Sequence, residues 1–248
     1  SSIIATLANL FESNNSDSFK AFVRDLTDEL HNELGFEVKK DEELEIKEVR
    51  DTINKLRAKN LDDDAFIKKF SDIFKENKME SISEGTFFSS ILFISALDET
   101  NKIEIFLEKF ENAESPQMQG RYRAVLGQVR DQNASKKIVE FMLDGRIRGA
   151  DCPYILASMI TNKYIGKKSW KVIKENFNDL LNVMPDWTAS RILDALPAIY
   201  DEEFAGDIKN FIKKNPLPSS EKLAAQKLER LEANIEFMDN LKEVNNET

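Results

Sequence analysis

Residues 16–35 read SDSFKAFVRDLTDELHNELG, and their spacing decides the class of the fold. Phe19, Phe22, Val23, Leu26, Leu30 and Leu34 recur mostly three and four positions apart, which gathers them on one face of an α-helix. Ser16 stands where an N-cap belongs, and Gly35 stands where the chain must leave through a left-handed residue. The same grammar continues downstream. Leu44, Val49, Ile53 and Leu56 make a second stripe. Asp62 or Asp63 can cap a helix carrying Phe66, Phe70, Ile73 and Phe74, with Asp64 in its first turn. Ser83 precedes an apolar stretch from Phe87 to Leu97, followed by Ile103, Phe106, Leu107 and Phe110. Ser115-Pro116 is a cap with proline at the first helical position, opening a helix through Tyr122, Val125, Leu126 and Val129.

Ile138, Phe141, Met142 and Leu143 lead to a stop at Gly145, and Asp151 caps a helix holding Ile155, Leu156, Met159 and Ile160. Trp170, Ile173 and Phe177 form the next stripe. Trp187 to Leu196, Phe204 to Ile212 and Leu223 to Leu241 complete the series. No hairpin dipeptide or alternating strand pattern interrupts it. The expected fold is all-α: roughly a dozen helices joined by short turns, stacked as antiparallel pairs in an irregular HEAT- or armadillo-like superhelix. No fixed repeat signature and no linker divides the chain, so one domain over residues 1–248 is expected.

Composition narrows the chemistry. The 248 residues carry 35 Lys+Arg against 45 Asp+Glu, a net charge of −10, which argues against a general nucleic-acid binder. A single histidine, His31, excludes an H-E-x-x-H zinc helix, and a single cysteine, Cys152, excludes an internal disulfide. Eight glycines leave little room for phosphate-binding loops. No segment reads as a membrane span or a signal peptide, and the lone cysteine fits a reducing compartment, so a cytoplasmic location is expected.

His31 lies out of phase with its helix's apolar face and reads as a surface residue. Cys152 opens a helix, where the dipole can acidify a thiol, but without a nearby base it reads as a small buried side chain. The acidic run Asp41-Glu42-Glu43 with Glu45 lacks the alternating ligands and central glycine of a calcium loop and reads as solvated. Neither a catalytic nor a metal-binding residue is expected in this chain. Positive charge concentrates instead at Arg121, Arg123, Arg130, Arg146, Arg148, Lys163, Lys167 and Lys168. Such a cluster can receive a carboxylate, bidentately at arginine, or it can be consumed by Asp131, Asp144 and Asp151 nearby.

Particular residues then add a resemblance. Gly145-Arg146-Ile147-Arg148, Asp151-Cys152-Pro153, Asn162, Gly166, Trp170 and Glu175-Asn176-Phe177 resemble the C-terminal domain of the aminopeptidase N family of zinc aminopeptidases. Leu126 to Asp131, the final Gln226 to Met238 segment and Phe19 to Phe36 are similar to further pieces of that domain, in the same order. Phe36, Phe177 and Phe237 stand where the family often has tryptophan, and are expected to keep an aromatic plug in the core. The family's zinc motif, distal glutamate ligand, G-x-M-E-N segment and catalytic tyrosine have no counterpart here.

The resemblance implies a fragment: the helical C-terminal domain of a longer aminopeptidase, lacking its first helices. In that family such a domain closes over a thermolysin-like domain and shapes access for peptides. The implied partners are that catalytic domain, in the same polypeptide, and peptide substrates, with no nucleic acid and no membrane. Zinc is expected in the parent's catalytic domain and no cofactor in this chain. Arg121, Arg123, Arg146 and Arg148 are the candidate peptide-binding residues, chosen for their clustering and their chemistry rather than from a family motif. A free-standing helical adaptor is the competing reading.

Overall fold

The computed structural model describes residues 16–39, 41–76, 85–217 and 220–246, with side-chain burial described through 240. All regular structure among the described residues is helical. The all-α expectation therefore holds. The chain divides into two compact units, Ser1–Asp131 and Gln132–Thr248.

The first unit contains α1 (Ser16–Leu34), α2 (Leu44–Asn60), α3 (Asp64–Lys75), α4 (Gly85–Ala96), α5 (Ile103–Glu111) and α6 (Pro116–Leu126). Chain neighbours pair as α1 with α2, α3 with α4 and α5 with α6. The second members of the pairs touch as well, α2 on α4 and α4 on α6. Short turns favour this arrangement, because each amphipathic helix must bury its stripe against something close in sequence. Phe66, Phe70 and Phe74 of α3 are buried, as are Phe88, Ile91 and Leu92 of α4 and Phe106 of α5. Phe74 and Phe106 stack with centroids 5.0 Å apart.

Two side-chain caps follow the sequence. The Asp63 carboxylate accepts the Phe66 N–H at 2.9 Å, and the Ser115 hydroxyl accepts the Met118 N–H at 3.2 Å with Pro116 behind it. Gly35 and Gly145 both leave their helices at positive φ. The Ser83 cap lies outside the described residues, and the Ser16 side chain is not described. At α5 the cap comes from far along the chain: buried Asp131 accepts the Ile103 N–H at 3.0 Å.

Two stripes are corrected. On α1 the buried face is Phe19, Val23, Thr27 and Leu34, while Phe22, Leu26 and Leu30 are exposed. On α2, Leu44 and Val49 are exposed, and the interior instead receives Arg50, Ile53, Asn54 and Ala58. Arg50 is only 1% exposed. Its guanidinium donates to the Leu34 carbonyl, 3.2 and 3.3 Å away, and forms an ion pair with Glu42. The Leu34 carbonyl is one of the groups that a helix end leaves without an internal partner. An arginine thus caps α1 from the neighbouring helix. Glu42, expected to be solvated, is held by this pair, and the Arg50 hydrogen bond keeps its carboxyl below the ordinary glutamate value.

A polar cluster sits where α4 turns toward α5. Burial raises the Asp98 carboxyl, but hydrogen bonds from Ser71 and Thr100, with Lys75 nearby, outweigh it and bring the group down to about 2. The Thr100 N–H and hydroxyl reach Asp98 at 2.9 and 2.7 Å. A carboxylate depressed by folding stabilises the native state fully above its unfolded value of 3.8 and loses that contribution as pH falls toward 2. Urea denaturation of Asp98→Asn should therefore show a loss of stability at pH 7 that shrinks between about pH 4 and pH 2. A deficit that stays constant over that range would contradict the assignment.

The second unit contains α7 (Ala134–Leu143), α8 (Cys152–Ile160), α9 (Gly166–Glu175), α10 (Phe177–Val183), α11 (Asp186–Ala189), a 3-10 helix (Ser190–Ala198), α12 (Glu202–Lys214) and α13 (Glu221–Asn246). α9 packs on α7 and α8, the 3-10 helix on α8 and α13, and α12 on α13. The stripe Trp170–Ile173–Phe177 spans two helices rather than one, because the chain breaks at Asn176. Trp187 to Leu196 divides into α11 and the 3-10 helix, which contains Pro197.

Trp170 is the largest fully buried side chain among the described residues, and it centres this unit. Its indole N–H donates to Asp207 at 3.0 Å, and its ring meets Phe211 edge-on at 5.3 Å. Phe177 packs against the same Phe211 at 5.0 Å, so its expected plug role holds. Phe237 does not behave that way. It is half exposed, and among the described side chains of α13 Leu231 and Met238 are the buried ones.

Candidate functional site

The four candidate arginines fall in different units, and each pair is taken by itself. Arg121 and Arg123 lie on α6, two positions apart, so they project in different directions. The Arg121 guanidinium sits over the Phe88 ring, 5.1 Å from its centroid, with Nη1 3.7 Å from the Met118 sulfur. It also lies against Gly85, where a Cβ would come within 2.7 Å of it. Arg121 is thus packed onto α4 as much as it is presented to solvent. Arg123 is half buried.

Arg146 and Arg148 share one turn, and local folding explains how. After α7 the chain turns through Gly145 at φ +75°, and the N–H groups of Arg146 and Ile147 both return to the Phe141 carbonyl. This satisfies a carbonyl at the helix end and points Ile147 inward, where it is 1% exposed. Arg146 and Arg148, on either side of it, are therefore turned outward. Arg146 stacks on the Phe141 ring at 3.4 Å. Arg148 bonds the Asp151 carboxylate at 2.9 Å while 75% of its side chain stays exposed.

Asp151 therefore occupies the cap position of α8 without capping it through its side chain. The expectation that neighbouring aspartates absorb the positive charge holds for Arg148. Arg130 pairs instead with the distant Asp64 at 3.3 Å, and Lys167 with Asp201 at 2.7 Å.

The turn is held in place at Gly149. A Cβ there would stand 2.0 Å from the Val183 carbonyl oxygen and 3.4 Å from Pro185, so only glycine permits this approach. The close contact sets the arginine turn beside the Val183–Pro185 turn. Two residues further on, Trp187 is 75% exposed, and Tyr154 of α8 is half exposed. Exposed aromatics and arginine are the residue types that dominate binding surfaces. The sequence reading placed Trp187 at the start of a helical segment and left its burial open. A proline and an aspartate just before it were the available sign of a helix start rather than a core face.

The other two candidate groups, Cys152 and His31, are both drawn away from solvent, to different degrees. Cys152 is fully buried, and burial, with Asp151 beside it, pushes its thiol up to about 12. The sulfur donates to the Arg148 carbonyl at 3.4 Å. His31 is half buried rather than on the surface, with its ring edge-on to Phe66 at 5.5 Å. Desolvation, with Arg57 nearby, lowers its pKa. No three His, Cys, Asp or Glu side chains come together as a metal site among the described residues.

What the site offers is cationic, planar and exposed, a chemistry that can receive a carboxylate. No helix among the described residues is long and apolar enough to cross a membrane. The family model that matches the chain, over residues 1–233, is described as the ERAP1-like C-terminal domain.

Proposed function

The chain belongs to the ERAP1-like C-terminal domain family of aminopeptidases, and from that premise we propose that it serves as the lid of a zinc aminopeptidase that trims peptides. The zinc centre belongs to the catalytic domain of the same parent polypeptide. This chain closes over that domain, limits access to it and performs no hydrolysis alone. The observation that carries the reading is the extent of the family match, which takes in both compact units rather than a single motif. The same match disfavours a free-standing adaptor.

A lid contributes through what it excludes and what it holds. Closure removes water and orients the substrate, and a substrate long enough to reach the lid gains binding contacts that a short one lacks. Arg146 and Arg148 are the residues best presented for such contacts, being exposed and fixed by a glycine-dependent turn. Arg121 and Arg123 are assigned a lesser part, since Arg121 is engaged with Phe88.

Reversing Arg146 and Arg148 to glutamate in the full-length parent enzyme should lower kcat/KM for peptides of about ten residues by roughly tenfold, the worth of one or two charge-assisted contacts. Cleavage of an aminoacyl amide should be unchanged. Equal effects on both substrates would remove these residues from the proposal.

A further inference from the structure

A groove opens between α12 and α13, with a volume of about 380 Å³. That falls within the size range of ordinary ligand clefts, roughly 300–1,000 Å³. It exists because α12 presents Ala205 and Gly206 where it faces α13, and neither reaches across. A Cβ built at Gly206 meets nothing within 4 Å. Leu231 and Ile235 line the opposite side, so the groove has an apolar lining.

Its charge is one-sided. Among the described residues, Glu202, Glu232, Glu236 and Asp239 line the groove with Lys209, while Lys213 lies near enough to Glu232 to act on it. Lys209 is engaged in an ion pair with Glu232, which holds the Glu232 carboxyl below its ordinary value. Glu202, Glu232 and Glu236 are exposed to solvent, so they can reach a ligand without a large desolvation cost. An apolar slot bordered by carboxylates is complementary to one kind of occupant: a segment that inserts aliphatic or aromatic side chains and carries lysine or arginine beside them. Long basic side chains suit this geometry, since their methylenes lie along apolar surface while their heads reach outward.

We propose that the α12–α13 groove is a docking site for a basic amphipathic peptide segment. Apolar anchors enter between Gly206 and Ile235, and flanking cations meet Glu202, Glu236 and Asp239. The arrangement is the helix-in-groove mode of recognition, with electrostatics selecting the sign of the ligand.

The test uses the 248-residue chain and a fluorescent synthetic amphipathic peptide of leucine and lysine, with binding followed by anisotropy. The controls are a peptide with glutamate in place of lysine and one with serine in place of leucine. Gly206→Phe fills the groove without changing the net charge, so it leaves any diffuse attraction to an acidic protein intact. A triple variant, Glu202→Gln, Glu236→Gln and Asp239→Asn, removes the charge and leaves the groove open.

The proposal expects the leucine–lysine peptide to bind, with about a tenfold or greater loss of affinity in each variant and for each control peptide. Thermal melts of both variants should match the parent chain, because the Gly206 site is open and the three acidic residues lie at the groove's edge. Unchanged affinity in Gly206→Phe would overturn the proposal, leaving only non-specific charge attraction. Unchanged affinity in the triple variant, or equal binding of the glutamate peptide, would overturn the basic character assigned to the occupant.

Discussion

Arg50→Ala lowers the stability of the first unit by about 3–5 kcal/mol, the cost of breaking a buried ion pair from one side. The guanidinium is 1% exposed and serves two acceptors at once, the Leu34 carbonyl at the end of α1 and the Glu42 carboxylate. Its removal strands a helix-end carbonyl and leaves Glu42, whose side chain is only 10% exposed, without its counter-ion. Chemical denaturation followed by far-UV circular dichroism measures the loss. Glu42→Ala alone should cost less, because the Leu34 carbonyl keeps its donor. The double variant should fall short of the sum of the two by roughly 1–3 kcal/mol, as coupled partners do. Strict additivity would show that the pair is not a unit. Arg50→Lys should rescue only in part, since an ammonium cannot bridge both acceptors with a planar fork.

Trp170→Ala is the second large effect, with a cost of about 3–5 kcal/mol for the cavity left by a buried tryptophan. The ring contacts Phe211, which in turn supports Phe177, so the loss spreads from α9 to α10 and α12. Asp207 keeps Lys174 as a partner, which limits the electrostatic part of the damage. Trp170→Phe separates the two contributions. It keeps most of the apolar volume but drops the indole hydrogen bond to Asp207, and should cost about 1–2 kcal/mol. The same denaturation experiment reads both variants. If Trp170→Ala cost less than Trp170→Phe, the packing account would be wrong.

These two residues also mark what was legible in advance. Trp170 was readable: a tryptophan in phase with Ile173 on an amphipathic stripe has few places to go other than the core. The helices and several caps, at Asp63, Ser115 and Gly145, were readable for the same reason, because periodicity and capping are local. Arg50 was not. On α2 the apolar periodicity pointed to Leu44 and Val49, yet the buried face carries an arginine and an asparagine whose partners lie 16 and 18 residues earlier. A polar residue becomes an interior residue only when a distant group satisfies it, and sequence spacing does not reveal that group.

The candidate site divides along the same line. The clustering of arginines was visible in the sequence, but their employment was not. Arg148 is paired with Asp151, Arg146 stacks on Phe141, Arg121 leans on Phe88, and Arg130 reaches Asp64. Gly149 could be read only as one more small residue until the Val183 carbonyl was seen against it. Trp187 was legible as the start of a helix, but its 75% exposure was not. His31 was read as a surface residue and is half buried, since the residue that touches it, Phe66, belongs to a different helix.

The most direct measurement adds this 248-residue chain to the catalytic part of the same aminopeptidase prepared without it, then compares turnover of a peptide of about ten residues with that of an aminoacyl amide. The lid account predicts a complex between the two pieces and a changed kcat/KM for the peptide, with the amide rate unaffected and no hydrolysis by the chain alone. No complex, or a peptide rate identical with and without the chain, would contradict it.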